Sequence, residues 1–444
     1  MTTRPNILVI TTHDLGRHIA CYGQTHLNTP HLDAFFNRST RFEQAFSVAP
    51  QCSPSRAAMF TGSYPQENGV MGLCNLVMGW DLNDPSQHIA THFKEADYQT
   101  LASGVIHETY GRPEALGFEQ YWQENSTHNL PPAVDALFAK AVSDPRPFYA
   151  QIGLFEPHRR PIDWSDKKQD QGFLHADERP ADPAGVSVPG YLADTAGTRE
   201  ELAEIQTAVE ALDQTFGTIL HSLESKGLAE NTIIVFTTDH GLALPRAKCT
   251  LYDPGLEVAL GIQIPGKKAC IEPALYSGID LAPTLLDLAG LPVPRRRQGV
   301  SWKTRLLNPD AKAPREQVFA GMTFHDYYFP CRAVRDARYK LIVHFSNTHA
   351  FMDCSQSWHH RSETLTPPNN NRSKSPLCEL YDLKEDPWEQ SNAAEEADMA
   401  EVRTRLLEDL SAHMTGTKDP LPAEGFPSPR HRAACKLLGL KDPD

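Results

Sequence analysis

The chain has 444 residues, 40% hydrophobic and 22% charged, with a formal net charge of −14. That composition supports a substantial core and excludes wholesale disorder, and the length suits two or three compact units or one large α/β domain with an appendage. The negative balance argues against nucleic acid or an acidic membrane as partner, and no apolar run reaches the roughly 18 residues of a membrane helix.

The nine cysteines are odd in number, scattered, and never spaced Cys-x-x-Cys, which argues against a disulfide framework or a zinc ribbon. The apolar run ending at Ile10 is too short for a signal peptide, so a cytoplasmic location is expected.

Along the chain, short β-branched apolar runs stop at ionisable residues. Residues 6–12 (NILVITT) stop at His13-Asp14, residues 99–106 at His107-Glu108, residues 147–155 at Glu156-Pro157-His158, and residues 231–238 (NTIIVFTT) at Asp239-His240. Continuous runs of this kind suit central strands of a mostly parallel sheet covered by helices on both faces. In such sheets ligands bind outside the carboxyl ends of the strands, so the four ends are expected to converge on one site.

The clearest helix signal lies between two of these runs. Thr198 and Glu201 form a capping-box pattern, and Leu202, Ile205, Val209, Leu212, Phe216, Ile219 and Leu223 recur at three and four up to Lys226-Gly227. Past about residue 330 the texture becomes α+β. Residues 331–345 read as a strand pair around Asp336-Ala337, residues 379–383 as a strand and residues 399–414 as a helix. We therefore expect a catalytic domain over 1–330 and a smaller C-terminal domain over 331–444. The loop 354–376 is expected to border the pocket and set substrate length.

Cys52-Ser53-Pro54-Ser55-Arg56 opens an apparent helix that ends at Gly62, with Pro54 in its first turn. Cys52 would then sit at the positive end of the helix dipole, where an anion or a nucleophile is favoured. Read by itself, a lone cysteine there is more readily a buried structural residue. Asp14 and Asp239 read singly as caps and together as metal ligands, and Lys248 read singly is a solvated lysine.

The pattern Cys52-x-Pro54-x-Arg56-x-x-x-x-Thr61-Gly62 resembles the signature of the sulfatase family, of alkaline-phosphatase-like fold. Residues 5–10, 29–33, 280–285 and 379–383 are similar to sulfatase segments. Ser53 to Arg56, Asn68-Gly69, Gly72-Leu73 and Pro157-His158-Arg159 most resemble N-sulfoglucosamine sulfohydrolases.

The resemblance implies hydrolysis of an N- or O-sulfate on a sulfated sugar, with N-sulfoglucosamine or a heparin or heparan fragment as substrate. Cys52 would be converted by a formylglycine-generating enzyme into formylglycine, whose hydrate is the nucleophile. It further implies catalytic roles for Arg56, His107, His158 and Lys248. One divalent metal, Ca2+ in the family, would lie among His13, Asp14, Cys52, Asp239 and His240, and Asn68, Arg159, His325 and Asp326 would contact substrate.

The sequence departs from the family where His13-Asp14 replaces Asp-Asp, where Asp239-His240 replaces the commoner Asp-Asn, and where Val105 replaces a lysine. Imidazole suits Mn2+ or Zn2+ better than Ca2+. Arg159, Arg160 or His18 is the expected source of the missing positive charge. The alternatives are a phosphonate monoester or phosphodiester hydrolase of the same superfamily, or a catalytically silent sulfated-glycan binding protein. A homo-oligomer is left open.

Overall fold

The computed structural model describes residues 4–124, 126–160, 172–175, 178–295, 297–352 and 373–421. Eight strands build the large sheet: β1 (Asn6–Thr12), β2 (Thr40–Phe46), β3 (Gln99–Gly104), β4 (Gln120–Trp122), β5 (Phe148–Leu154), β6 (Thr232–Thr238), β7 (Leu260–Gln263) and β8 (Cys270–Ser277). Their spatial order is β4-β3-β5-β1-β6-β7-β2-β8. Every neighbouring pair is parallel except those made by β7 with β6 and β2, so the expected mixed, mostly parallel sheet forms.

Helices α1 (Cys52–Thr61), α2 (Leu130–Val142), α3 (Ala196–Ser225) and α4 (Leu281–Leu288) cover its faces. Alternation along β1 divides the core, because successive side chains point to opposite faces. Leu8 and Ile10 join the cluster containing Leu137 of α2 and Phe216 of α3, while Ile7 and Val9 join the one containing Phe60 of α1 and Leu285 of α4. Each fully buried side chain of this size contributes about 1.5–3 kcal/mol relative to exposure.

The apolar stripe predicted for α3, from Leu202 to Leu223, is buried throughout. Its start is not at Thr198. The N-cap is Thr195, whose side chain accepts from the Thr198 N–H, and Glu201 is diverted to pair with Arg159.

The smaller sheet comprises β9 (Val318–Phe324), β10 (Tyr328–Arg335), β11 (Tyr339–His344) and β12 (Cys378–Asp382), all antiparallel in the order β12-β11-β10-β9. β9 lies before residue 331, so this sheet spans both sides of the boundary expected from sequence. Asp336 accepts from the N–H groups of Arg338 and Tyr339 and closes the predicted strand pair. Helix α5 (Ala400–Gly416) packs Leu406, Leu410 and Met414 on one face. The other face meets Cys249, Leu251 and Tyr252 from the loop after β6. Nearly all of the loop 354–376 lies outside the described residues.

A buried ionic network ties the two sheets together. Lys340 of β11, fully buried, stands 2.8 Å from Asp253 Oδ1 and 2.9 Å from Glu389 Oε1, and Arg335 reaches Asp253 Oδ2 at 3.1 Å. Arg246 donates to the Glu389 carbonyl at 2.6 Å.

His88 illustrates how burial couples this core to pH. Its Nδ1 accepts from the Ala90 N–H, and its ring lies 5.5 Å from both Phe60 and Phe118. Burial, with a smaller push from Arg297, lowers its pKa from 6.5 to about 3. Between those values the unfolded chain binds the extra proton and the folded one does not, so stability is full above 6.5 and is lost as pH falls. Acidification from pH 6.5 to 5 should cost about 2 kcal/mol at this residue, and His18, likewise lowered to about 3, acts in the same direction. Urea unfolding of the wild type and of His88→Asn at both pH values checks this. The variant should lose about that much of the pH dependence; an equal dependence in both proteins would refute the assignment.

Candidate active site

β3, β5, β1 and β6 are consecutive in the sheet, so their carboxyl ends lie side by side. The β1–β6 register runs to Thr12↔Thr238, and the Asp239 N–H donates to the Thr12 carbonyl at 3.1 Å. His13-Asp14 and Asp239-His240 are thereby brought together from 225 residues apart in sequence, the Asp14 N–H donating to Asp239 Oδ1 at 3.0 Å.

Asp14 has φ 51°, a left-handed conformation uncommon for a non-glycine residue and concentrated at functional sites. At Gly241 the backbone passes so close to the Pro254 carbonyl that a Cβ would lie 1.7 Å from its oxygen. Only glycine permits that approach, which seats the loop carrying Lys248.

Helix α1 begins at Cys52 and ends at Gly62, whose φ of 69° suits its left-handed cap position. Gln51, extended before it, donates to the Phe324 carbonyl at 2.7 Å and so pins the segment to β9. Cys52 is 1% exposed, with Sγ 3.2 Å from His240 Nε2 and 3.7 Å from Asp14 Oδ1. Burial pushes its thiol pKa well above the ordinary value against the pull of Lys248, so the unmodified side chain is a neutral thiol and a poor nucleophile.

Two cations balance the two carboxylates. Lys248 Nζ lies 2.9 and 2.7 Å from the oxygens of Asp14, and 3.5 Å from His158 Nε2. Arg56, fully buried, donates through Nε to Asp239 Oδ2 at 3.1 Å and through Nη1 to Thr11 Oγ1 at 3.0 Å. Burial alone would raise the Asp14 carboxyl, but Lys248 and the imidazoles outweigh it and hold it well below the usual carboxylate range.

Four histidines complete the cluster. Burial lowers the pKa of all four, that of His107 to about 3, which favours neutral imidazole. His13 centres its ring 5.8 Å from His107 and 5.5 Å from His158. His240 Nδ1 is 3.0 Å from the Gly241 carbonyl, which directs Nε2 at Asp14 Oδ1, 3.2 Å away.

The structure therefore brings together His13, Asp14, Cys52, Arg56, His107, His158, Asp239, His240 and Lys248. The proposed substrate contacts divide. Asp326, 3.2 Å from His325 Nδ1, lies within electrostatic reach of Lys248. Asn68 does not join them: it is buried and donates to Ser63 and Thr61 while accepting from Val70, holding its own turn. Arg159 is buried against Glu201, its guanidinium 4.4 Å over the Phe173 ring.

None of the three side chains expected to replace the missing lysine is committed to Cys52. Arg159 is held as described, Arg160 reaches His175 and Glu156, and the His18 ring packs on His26 at 5.9 Å. Beside Val105 it is Arg56 that supplies charge, its Nη1 3.5 Å from the Val105 carbonyl.

Sequence reasoning missed a support beneath His107. Glu108 accepts the His107 N–H at 2.6 Å and receives Gln151 from the middle of β5. Glu108 follows a strand end and was legible as ionisable; Gln151 lies inside an apolar run and carried no signal. A second cluster of His128, Glu156 and His175 could also hold a cation, but the Arg160 guanidinium, 2.7 Å from His175 Nε2, already lies among these groups.

The sulfatase family model matches residues 5–291. The chain belongs to the sulfatase family. A second model, for the C-terminal region of N-sulphoglucosamine sulphohydrolase, matches residues 243–365. Human N-sulphoglucosamine sulphohydrolase is 27% identical to this sulfatase over 94% of the chain and 91% of its own length.

Among solved structures, one described as a complex with its substrate D-glucosamine-2-N,6-O-disulfate superposes with a TM-score of 0.70 at 20% identity, covering 95% of this chain and 100% of the other. A phosphonate monoester hydrolase from Silicibacter pomeroyi gives 0.67 at 19% identity, covering 96% and 99%. This sulfatase is thus a hydrolase of sulfuric esters or sulfamates. Its clustered carboxylates and imidazoles fit the divalent metal that sulfatases generally use.

Proposed function

We propose that this sulfatase removes a sulfate group, N-linked or O-linked, from a sulfated sugar, with N-sulfoglucosamine or a heparin or heparan fragment as substrate and formylglycine at position 52 as nucleophile. The observation that carries the reading is the placement of Cys52 on the first turn of α1, facing Asp14, His240 and Lys248. The human relative named N-sulphoglucosamine sulphohydrolase supports the substrate class. Maturation is expected to take place in the cytoplasm.

Formylglycine supplies an aldehyde hydrate whose oxygen attacks sulfur, forming an S–O bond as the S–N or S–O bond to the sugar breaks. A divalent ion, when bound, draws charge from the sulfuryl oxygens and acidifies the hydrate. Lys248 and Arg56 would offset the charge developing on those oxygens, a contribution often the largest in catalysis. His158 Nε2 and Lys248 Nζ stand 3.5 Å apart, and this pair would supply the proton taken up by the leaving nitrogen or oxygen. His107, neutral at working pH, accepts the proton of the second hydroxyl as sulfate departs.

The test is a peptide mass for the segment containing Cys52 from protein made with a formylglycine-generating enzyme, paired with sulfate release from N-sulfoglucosamine. A loss of about 18 Da together with sulfate release is expected for the thiol-to-aldehyde conversion. An unmodified thiol with undiminished hydrolysis of phosphate diesters would overturn the reading. It would favour the phosphonate or phosphodiester alternative, which Asp239-His240, Val105 and the phosphonate hydrolase neighbour keep in view.

A further inference from the structure

The donors at the ends of β1 and β6 carry more nitrogen than a calcium site requires. Asp14, Cys52, Asp239 and His240 each offer a ligand atom within 4.8 Å of the others, and Asp14 and Cys52 also share such a group with His13 and His158. Ca2+ takes six to eight oxygens at full coordination, whereas imidazole suits first-row transition ions.

The charge balance points the same way. Lys248 is paired with Asp14 and Arg56 with Asp239, so the two carboxylates are already neutralised one for one. An ion held by Coulomb attraction alone gains little here, while neutral nitrogen donors bind a borderline metal through their lone pairs.

His13 is the residue that nothing else explains. It is 2% exposed, and neither ring nitrogen has a hydrogen-bond partner among the described residues. Its Nδ1 lies 3.1 Å from Asp239 Oδ2 but outside hydrogen-bond geometry. Buried imidazole nitrogens are almost always bonded to something. His240 is in contrast oriented by the Gly241 carbonyl on Nδ1, the outer contact by which metal-binding histidines fix the free nitrogen.

We propose that the ion held between β1 and β6 is a nitrogen-accepting first-row dication of the Zn2+ and Mn2+ class rather than Ca2+, and that His13 is one of its ligands. This rests on the sulfatase reading of the cluster, and the test separates the two.

Full-length protein, matured at Cys52 and stripped of metal, is equilibrated with Ca2+, Mn2+ and Zn2+ together, and the bound ions are counted by elemental mass spectrometry after gel filtration. One transition ion per chain is expected, retained against a large excess of Ca2+. His13→Asp, which restores an oxygen donor, should shift the Mn2+ to Ca2+ preference toward Ca2+ by about tenfold or more. His13→Ala should weaken Mn2+ and Zn2+ retention without a gain for Ca2+.

The visible absorption of the Co2+-loaded protein should change in His13→Ala, with unfolding temperatures of the stripped proteins compared to exclude misfolding. Preferential retention of Ca2+ by the wild type, or Co2+ bands identical with and without His13, would overturn the proposal. Preferential retention of Ca2+ together with sulfate release would remove the metal assignment and leave the sulfatase reading standing.

Discussion

Replacement of Cys52 by alanine is expected to abolish sulfate release, by at least about 10⁴-fold in kcat, because removing a nucleophile costs a catalytic unit nearly its whole chemical advantage. The side chain is 1% exposed and alanine is smaller, so the fold should persist with a small cavity at the first turn of α1. Sulfate release from an aryl sulfate, measured beside the circular dichroism of both proteins, checks this. A folded variant turning over at the wild-type rate would show that position 52 does not supply the attacking atom. Continued binding of sulfated glycan with no turnover in either protein would instead favour the silent binding reading.

Arg56→Ala should produce the second largest effect, and on two quantities at once. The guanidinium is the partner of Asp239 Oδ2 in a pair where neither side chain is exposed at all. Breaking a buried pair leaves an uncompensated charge, and about 3–5 kcal/mol of stability should be lost. On the role proposed for Arg56 in offsetting charge on the sulfuryl oxygens, kcat should fall by about 10²–10³ among molecules that stay folded.

Arg56→Lys keeps the charge but cannot bridge Asp239, Thr11 and the Val105 carbonyl together, so it should recover stability more fully than rate. Urea unfolding and single-turnover rates for the three proteins decide the matter. Wild-type stability in Arg56→Ala would show that Asp239 is compensated by something other than this guanidinium.

The framework of the site was legible because its strands are written as unbroken apolar runs, each ending in a residue that titrates. Burial on both faces leaves β1 and β6 no polar alternation, and the chain becomes chemical only where the sheet stops. What sequence could not give was the pairing. Asp14 with Lys248 and Arg56 with Asp239 are contacts set by strand order, across 234 and 183 residues.

Other residues were read singly for the same reason. Glu201 looked like the last residue of a capping box, and Arg159 like a substrate contact, because each was read without the other; the fold pairs them. Asn68 was placed at the substrate by resemblance, while its three hydrogen bonds close a local turn. β9 was missed because it forms the first strand of a sheet whose other members lie after residue 327.

The ionic tie between the sheets has a further consequence for how activity can be tuned. Lys248 rides on a loop whose residues 246 and 249 are both left-handed, at φ 60° and 63°. Such a loop keeps its shape only while its surroundings impose it. Asp253 and Arg246 are gripped by Lys340, Arg335 and Glu389, all of them beyond residue 330. The smaller sheet therefore acts as a jig that locates one ammonium group, and shortening the chain to its larger sheet would leave every strand-end residue present but Lys248 unaligned. Substitutions around β11 can then shift the position of Lys248 without altering any of the strand-end residues.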